Sequence, residues 1–230
     1  MKRTMTGEQK VFPKFNPVGE SAVLFELDED LSPAINRRVH ALDSCMQANS
    51  LQGVREWVPA YSSVLVIFDP LLVEISKVKS WLKDCLENIS DIDAGKTRKL
   101  IIPVHYGGEN GPDLAYVASY NHLSPGEVVR RHTAQTYHVG MMGFTPGFAY
   151  LLGLDPSLTT PRLKSPRTLV PAGSVGIAGG QTGIYPMESP GGWQLIGRTE
   201  MALFDPDHPP YFLLSPGDEV QFQAVNQGRF

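Results

Sequence analysis

Apolar residues in the first part of the chain alternate between strand-like runs and helical spacing. Residues 20–27 are apolar and β-prone, which predicts a strand. Ser32 and Pro33 then supply a preferred N-cap residue and a proline at the first helical position. The helix that they predict has an apolar face at helical spacing, formed by Ile35, Val39, Leu42 and Met46.

The same alternation continues beyond this helix. Residues 54–61 and 63–69 are predicted to form two strands joined by a tight turn. Ser76 is the predicted N-cap of a second helix, and residues 99–104 form a predicted fourth strand. The resulting order, β-α-β-β-α-β, is the ferredoxin-like pattern. We therefore expect an α+β fold whose first domain, residues 1–104, is ferredoxin-like.

Turn residues dominate the second part of the chain. Residues 105–136 are predicted to be a helical connector, in which Ser124 and Glu127 form a capping box at the start of a helix. More than half of the 22 glycines and 19 prolines lie in residues 140–219, between short β-prone runs. Six or more short strands with frequent turns favour a closed β-barrel over residues 137–230, because closure removes exposed strand edges.

Composition excludes several classes of protein. The net charge of −4, from 20 Lys and Arg against 24 Asp and Glu, gives no broad basic face for nucleic acid. Two cysteines, Cys45 and Cys85, are too few for a disulfide framework or a Cys-rich zinc site, so no metal is expected. The first ten residues lack the apolar run of a signal peptide, and no apolar run is long enough to span a bilayer. We expect a cytoplasmic protein without a membrane partner.

Cationic residues form most of the charge in the Gly- and Pro-rich stretch of residues 143–199. They are Arg162, Lys164, Arg167 and Arg198. A guanidinium group binds two oxygens of a carboxylate or phosphate at once, and glycines such as Gly180 let backbone N–H groups approach an anion. These residues predict an anion pocket at the mouth of the barrel. The alternative is that the glycines serve turns and the arginines pair with surface acids.

Other polar and aromatic residues could complete such a pocket. His132 is a candidate general base, because the ordinary pKa of histidine lies near neutrality, although a lone helical histidine is often structural. Gln181, Tyr185 and Ser189 could hydrogen-bond a polar ligand or finish turns. An aromatic wall or an interface is predicted from Phe144, Pro146, Phe148 and Trp193.

The same stretch resembles a known family. It contains the runs GFTPGFAYLLGLDP and PRLKSPRTLVPAGSVGIAGGQTGIYPMESPGGWQLIGRTE, and the likeness extends to GVREWVPAYSSVLVIFDP, IPVHYGGENGPDLAYVA and LLSPGDEVQF. These runs resemble the signature of the allophanate hydrolase subunit 1 family, which includes 5-oxoprolinase subunits of the PxpB type and the kinase inhibitor KipI. The resemblance implies a ferredoxin-like N-terminal domain and a C-terminal cyclophilin-like β-barrel.

The resemblance also implies an enzyme that needs partners. PxpB-type subunits act with a subunit 2 relative (PxpC-like) and a PxpA-like subunit to open 5-oxoproline to glutamate with ATP hydrolysis. In that function we expect Arg162, Arg167 and Arg198 to hold a carboxylate or a developing phosphate charge, and His132 to transfer a proton. We expect little activity from this chain alone.

Two other functions share the family signature. One is a KipI-like inhibitor that docks on a sensor histidine kinase, with Phe144, Phe148 and Trp193 as anchors. The other is a non-catalytic scaffold or a carboxyltransferase-type subunit that acts on another small amide such as urea or allophanate. The chain contains no A-M-K-M biotin attachment site and is too short for a carboxylase domain, which excludes a self-sufficient urea carboxylase.

Overall fold

Two compact units make up the protein. The computed structural model describes residues 11–89 and 98–225. The internal packing divides the chain into residues 1–93 and residues 94–230, and each unit has its own hydrophobic core. Within the described ranges, no helix is both long enough and apolar enough to cross a membrane.

The first unit is a four-stranded antiparallel sheet with two helices. Neighbouring strands lie in the order β1-β2-β4-β3. β2 and β3 are both antiparallel to β4, so they are parallel to each other, and α1 connects them as a split βαβ unit. The elements are β1 (Lys14–Val18), β2 (Ala22–Glu26), α1 (Pro33–Ala48), β3 (Val54–Pro59), β4 (Ser63–Phe68) and α2 (Ile75–Asn88).

The second unit contains a closed barrel of seven strands. The strands follow the order β10-β7-β6-β13-β5-β12-β9, and pairing of β9 with β10 completes the circle. All neighbours are antiparallel except β5 and β13, while β8 and β11 form a separate two-stranded sheet. The elements are β5 (Lys99–Tyr106), α3 (Leu114–Tyr120), α4 (Pro125–Ala134), β6 (Tyr137–Met142), β7 (Ala149–Leu152), β8 (Arg167–Val170), β9 (Ser174–Ala178), β10 (Gln181–Ile184), β11 (Ser189–Gly191), β12 (Gln194–Arg198) and β13 (Glu219–Ala224).

The predicted α+β fold with a C-terminal barrel is confirmed, but the assignment of one strand is wrong. The sequence pattern predicts that residues 99–104 complete the first domain, whereas β5 is a barrel strand between β12 and β13. Its buried residues Ile102, Val104 and Tyr106 belong to the barrel core. The place beside β2 is filled by β1, so the order of elements in the first unit is ββαββα.

Local sequence could not distinguish these two arrangements. An alternating apolar strand such as β5 has the same pattern in either sheet, and only its distant partner strands decide where it lies. β1 contains Pro17 and follows Pro13, residues that are depleted in strands. Proline is tolerated on an edge strand, which is the position that β1 occupies.

The predicted helix caps have different outcomes. The side chains of Ser32 and Ser124 accept hydrogen bonds from backbone N–H groups in the first turns of α1 and α4, as predicted. The prediction for Ser76 is wrong, because α2 already begins at Ile75, with Glu74 at the N-cap position. The Ser76 hydroxyl lies inside the first turn and donates to the Glu74 carboxylate at 3.2 Å.

Candidate functional site

An aromatic pocket of about 330 Å³ lies in the second unit. Its walls come from the β6–β7 loop and β7, from the segment before β8, from the residue after β10, and from the β11–β12 connection. We define the aromatic pocket by its lining residues: Phe144, Phe148, Tyr150, Arg162, Leu163, Pro166, Tyr185, Pro190, Gly191, Gly192 and Trp193. The predicted residues Phe144, Phe148, Tyr185, Trp193 and Arg162 therefore lie together.

The aromatic rings form a fixed wall through edge-to-face contacts. Phe148 lies 5.1 Å from Tyr185 and 5.5 Å from Trp193 between ring centroids, with both interplanar angles at 84°. Aromatic pairs prefer this geometry because the positive edge of one ring meets the negative face of the other. These three side chains are buried, whereas Phe144 is 60% exposed at the rim.

Two backbone features shape this wall. A Cβ atom on Gly191 would lie 2.4 Å from the Tyr185 hydroxyl oxygen, so only glycine allows the ring to approach this strand so closely. Phe144 adopts φ = 67°, in the left-handed region that a bulky side chain rarely enters. Such strain is retained where the surrounding structure holds it, and it is concentrated at functional sites.

Arg162 is the cation of the pocket. It is exposed, and it makes no hydrogen bond or ion pair with another residue in the described part of the chain. Burial raises the pKa of the Tyr150 and Tyr185 hydroxyls above their ordinary value, and the positive charge of Arg162 opposes that shift without cancelling it. Both hydroxyls therefore stay protonated at neutral pH. The pocket combines apolar walls, one guanidinium group and phenol hydroxyls, a combination that suits a small ring bearing one carboxylate.

Arg167 does not share this arrangement. Its Nη2 atom donates to both carboxylate oxygens of Asp113, at 2.7 and 2.8 Å, and Nη1 donates to the Trp193 carbonyl at 3.2 Å. The same carboxylate accepts the Leu195 N–H at 2.7 Å. Arg167 therefore ties the residue before α3 to the β11–β12 connection. Its charge is compensated within the protein, which corresponds to the alternative stated above for the arginines.

The other predicted anion-binding residues are dispersed. Arg198 lines a different cleft, and its Nε donates to the Ala172 carbonyl at 2.8 Å. Gly180 and Gln181 lie at the β9–β10 turn, outside the lining of the aromatic pocket. Ser189 is buried beside this lining, and its hydroxyl oxygen has no hydrogen-bond partner among the described residues.

His132 lies in the barrel interior with no exposed surface. The Thr182 hydroxyl donates to the Gly176 carbonyl at 2.9 Å, so it accepts the hydrogen bond from His132 Nε2 at 3.0 Å. His132 Nδ1 then accepts from the Tyr106 hydroxyl at 2.7 Å. Burial lowers the pKa of His132 to about 3, which keeps the ring neutral. Both ring nitrogens are engaged, and His132 is not among the residues that line the aromatic pocket.

Pro146 lines a separate apolar groove of about 560 Å³, which we call the Phe212 groove. Phe144 borders both this groove and the aromatic pocket. The Thr145 hydroxyl oxygen in the groove is buried, with no hydrogen-bond partner in the described ranges. The aromatic turn at Pro146 thus separates two concave surfaces.

Sequence reasoning missed two residues of this region. Tyr150 lines the pocket, and its position two residues after Phe148 at the start of a strand would have placed both on one face. Asp113, the partner of Arg167, follows Pro112 directly and carries no comparable signal. Its role arises because the fold brings it beside a residue 54 positions away.

The fold defines a domain whose second unit contains a closed seven-stranded β-barrel. Residues 13–214 match the sequence family described as the carboxyltransferase domain, subdomain C and D. The chain therefore belongs to the family of carboxyltransferase-domain subdomains C and D.

Relatives within this family narrow the likeness. The B subunit of 5-oxoprolinase from Bacillus subtilis is 42% identical over 222 residues, covering 91% of this chain and 92% of the relative. The corresponding B subunit from Escherichia coli O157:H7 is 41% identical over 215 residues, covering 92% and 95%. The resemblance to PxpB-type subunits, stated from the sequence, is thereby confirmed.

Solved structures agree with the fold. A conserved uncharacterized protein from Pyrococcus horikoshii is 46% identical, with a TM-score of 0.56, and the match covers 93% of this chain and 98% of that one. The structure of TTHA0988 has a TM-score of 0.78 at 37% identity and covers 90% of this chain. The match spans 40% of the TTHA0988 chain, so a homologous segment occurs there within a longer polypeptide.

Proposed function

We propose that this chain is the B subunit of an ATP-dependent 5-oxoprolinase. Together with a subunit 2 relative (PxpC-like) and a PxpA-like subunit, it opens 5-oxo-L-proline to L-glutamate. The relatives named as 5-oxoprolinase B subunits support this role at the level of the family. The observation that carries it in this chain is the aromatic pocket, where Arg162 is a cation without a partner among the described residues.

The chemistry of 5-oxoproline suits this pocket. Its five-membered ring has two apolar methylene groups, which can pack on Phe148 and Trp193. Its carboxylate can accept two hydrogen bonds from the Arg162 guanidinium. The lactam oxygen can accept a hydrogen bond from a protonated phenol. Tyr150 is half-buried, whereas Tyr185 is buried, so Tyr150 is the phenol proposed for this role. The pocket volume of about 330 Å³ leaves room for a group from a partner subunit.

The proposed reaction uses ATP to activate the lactam. Transfer of the terminal phosphoryl group to the lactam oxygen forms an O–P bond and releases ADP. Water then adds to the ring carbon, the C–N bond breaks with protonation of the nitrogen, and a second water releases phosphate to leave glutamate. In this scheme Arg162 and the aromatic wall bind and orient the ring, while the phosphoryl-transfer groups lie elsewhere.

ATP itself fits the aromatic pocket poorly. A triphosphate carries several negative charges, whereas Arg162 is the one charged residue among the described residues of the lining. The pocket is accordingly assigned to the ring-bearing substrate, and the nucleotide is expected at another surface of the assembly.

Reconstitution tests the proposal. Glutamate release from 5-oxoproline and ATP is measured with all three subunits and with each one omitted, and activity is expected only in the complete mixture. In that mixture Arg162→Gln should raise the KM for 5-oxoproline by about 10- to 100-fold, because a charged hydrogen-bond pair is lost. Lys164→Gln, which removes an exposed cation two residues away, is the matched control and should leave KM unchanged.

Three results would overturn the proposal. One is full activity without this chain. Another is an Arg162→Gln subunit that assembles with its partners and retains the wild-type KM. The third is a complete, folded mixture that releases no glutamate, after which the KipI-like function would be tested by adding the chain to an autophosphorylating sensor kinase.

A further inference from the structure

A second cleft of about 570 Å³ lies on the same unit and shares none of its described lining residues with the aromatic pocket. We call it the Arg198 cleft. Its polar and charged lining includes His105, Asn110, Arg198 and Glu200, and Gly173 forms part of its floor. The aromatic pocket, in contrast, is mainly apolar.

Strand register places two nitrogen-bearing side chains together in this cleft. Arg198 on β12 and His105 on β5 are directly paired across antiparallel strands, so their side chains lie on the same face. The neighbouring pair includes Tyr106, whose ring is buried in the barrel core. Because successive residues of a strand face opposite sides, Arg198 and His105 point away from the barrel core.

The guanidinium group of Arg198 is held in place but keeps donors available. Its Nε donates to the Ala172 carbonyl, which fixes the side chain against the turn before β9. Its two Nη atoms make no hydrogen bond to any other residue of the described ranges. In Arg167, by comparison, an Nη atom is engaged by a carboxylate.

Glycine is required at the floor of the cleft. Gly173 has φ = 81°, and a Cβ atom there would lie 2.1 Å from the Thr199 carbonyl oxygen and 3.5 Å from Arg198 Cγ. A larger residue would displace the backbone that supports Arg198. The backbone beside Arg198 therefore depends on this glycine.

The donors of the cleft outnumber the oxygens of a carboxylate. Arg198 offers two Nη atoms, and His105 Nε2 and the exposed Asn110 amide line the same cleft. A phosphoryl group has three terminal oxygens and accepts from several donors at once, whereas a carboxylate has two oxygens. We propose that the Arg198 cleft binds the phosphoryl group of a small molecule. The source is free phosphate or the terminal phosphate of a nucleotide, and the nucleotide source rests on the proposed function.

Glu200 allows a second test, because removal of its negative charge should strengthen anion binding whereas removal of the Arg198 charge should weaken it. Its carboxylate lies 4.0 Å from His105 Nε2, and its side chain is 92% exposed. A negative charge at this distance opposes binding of an anion. Glu200→Gln should therefore tighten the binding of inorganic phosphate by about two- to five-fold, the range for an exposed charge pair. A merely structural role of the cleft gives no reason for tighter binding.

Calorimetric titration of the full chain with inorganic phosphate, and separately with ATP, tests the site at low ionic strength. Arg198→Gln should weaken binding by about ten-fold or more, since charged hydrogen bonds are lost. Asn110→Ala is a second variant, which removes the amide donor of the same cleft. Asn110 is exposed, so its replacement leaves the core unchanged. Arg38→Gln, which removes an exposed arginine of α1 in the first unit, is the matched control and should bind as the wild type does.

The two sources give different results, and both support the site. Equal affinities for phosphate and ATP indicate free phosphate, whereas ATP binding at least ten-fold tighter than phosphate indicates the nucleotide. The proposal is overturned if neither ligand binds, alone or in the three-subunit mixture, or if Arg198→Gln and Glu200→Gln bind phosphate as the wild type does. Retained phosphate binding with no 5-oxoproline turnover would refute the proposed function alone.

Discussion

The barrel interior around His132 and the aromatic pocket around Arg162 use similar residues for different ends. Each contains one basic side chain, His132 or Arg162, among aromatic rings and near two tyrosine hydroxyls. In the interior, both nitrogens of His132 are hydrogen-bonded and Phe222 stacks on the ring at 4.6 Å. In the pocket, Arg162 faces solvent without a partner in the described part of the chain.

The role of each basic group follows from its environment. A buried charge without a partner is costly, so His132 is kept neutral and its hydrogen bonds stabilise the barrel. Arg162 is exposed, and the hydrogen-bonding capacity of its guanidinium group remains available for a ligand. Changes at the interior should therefore alter stability first, and changes at the pocket should alter binding first.

The pH dependence of stability gives the largest expected effect. His132 has a pKa of about 3 in the folded protein and an ordinary value near 6.5 in the unfolded chain. Between these values the unfolded chain binds the additional proton, so the contribution is fully present above pH 6.5 and is lost as the pH falls. The free energy of unfolding should fall by about 1.4 kcal/mol per pH unit below pH 6 from this group.

Urea unfolding of the wild type and His132→Leu between pH 7 and pH 4.5 measures this contribution. Fluorescence of Trp193 in a Trp57→Phe, Trp81→Phe background reports the second unit, since Trp57 and Trp81 lie in the first. The variant should show the flatter pH profile. Parallel profiles would show that His132 is not held neutral and would remove the contrast with Arg162.

The Asp113–Arg167 pair should give an intermediate effect on stability. Asp113→Ala leaves the Arg167 guanidinium and the Leu195 N–H without their acceptor. We expect Asp113→Ala and Arg167→Ala each to lower the free energy of unfolding by about 1–3 kcal/mol. The double variant should lose much less than the sum of the two. A double-mutant cycle by urea unfolding checks this coupling. Additive losses would mean that Arg167 is free to bind a ligand, as predicted from the sequence.

Substitutions at Phe144 should separate strain from binding. Phe144→Gly and Phe144→Ala both remove the exposed ring, but only glycine adopts φ = 67° without steric cost. The glycine variant should be more stable than the alanine variant by about 1 kcal/mol, while both weaken the binding of 5-oxoproline equally. Thermal unfolding compared with ligand titration makes the test. Equal stabilities would show that the loop relaxes out of the left-handed region.

Arg162→Gln should give the smallest change in stability. Because Arg162 is exposed and has no partner within the described ranges, its free energy of unfolding should stay within about 0.5 kcal/mol of the wild type. The same variant is expected to raise the KM for 5-oxoproline in the complete enzyme. A substantial loss of stability, measured by urea unfolding, would show that Arg162 stabilises the fold as Arg167 does. It would contradict the view that Arg162 is available for binding.

Much of the candidate site could be predicted because its residues lie close together in the sequence. Phe144 and Phe148 flank a single turn, and Trp193 follows the Gly191–Gly192 pair directly. The sequence groups the four cations because they fall in one Gly- and Pro-rich stretch, residues 143–199. The three arginines lie separately in a pocket, in an ion pair and in another cleft, and this separation depends on Asp113 and on strand register, which local sequence does not show.

The fold divides along the same line. Ser32 and Ser124 cap their helices through bonds to residues three positions away, so local sequence suffices to predict them. The placement of β5 required its pairing with β13, more than a hundred residues later. No local pattern could have distinguished that pairing from a place in the first sheet.

Local spacing and long matching runs were therefore enough to predict the helices, most of the strands, the closed barrel and the likeness to PxpB-type subunits. Which polar groups form hydrogen bonds or ion pairs depended on contacts that arise only in the folded chain. The fold buried His132 between Tyr106 and Thr182, paired Arg167 with Asp113, and left Arg162 exposed among aromatic rings. The physical reason is that burial and ion pairing depend on neighbours distant in the chain, and those neighbours set whether a charged residue stabilises the fold or remains available to bind.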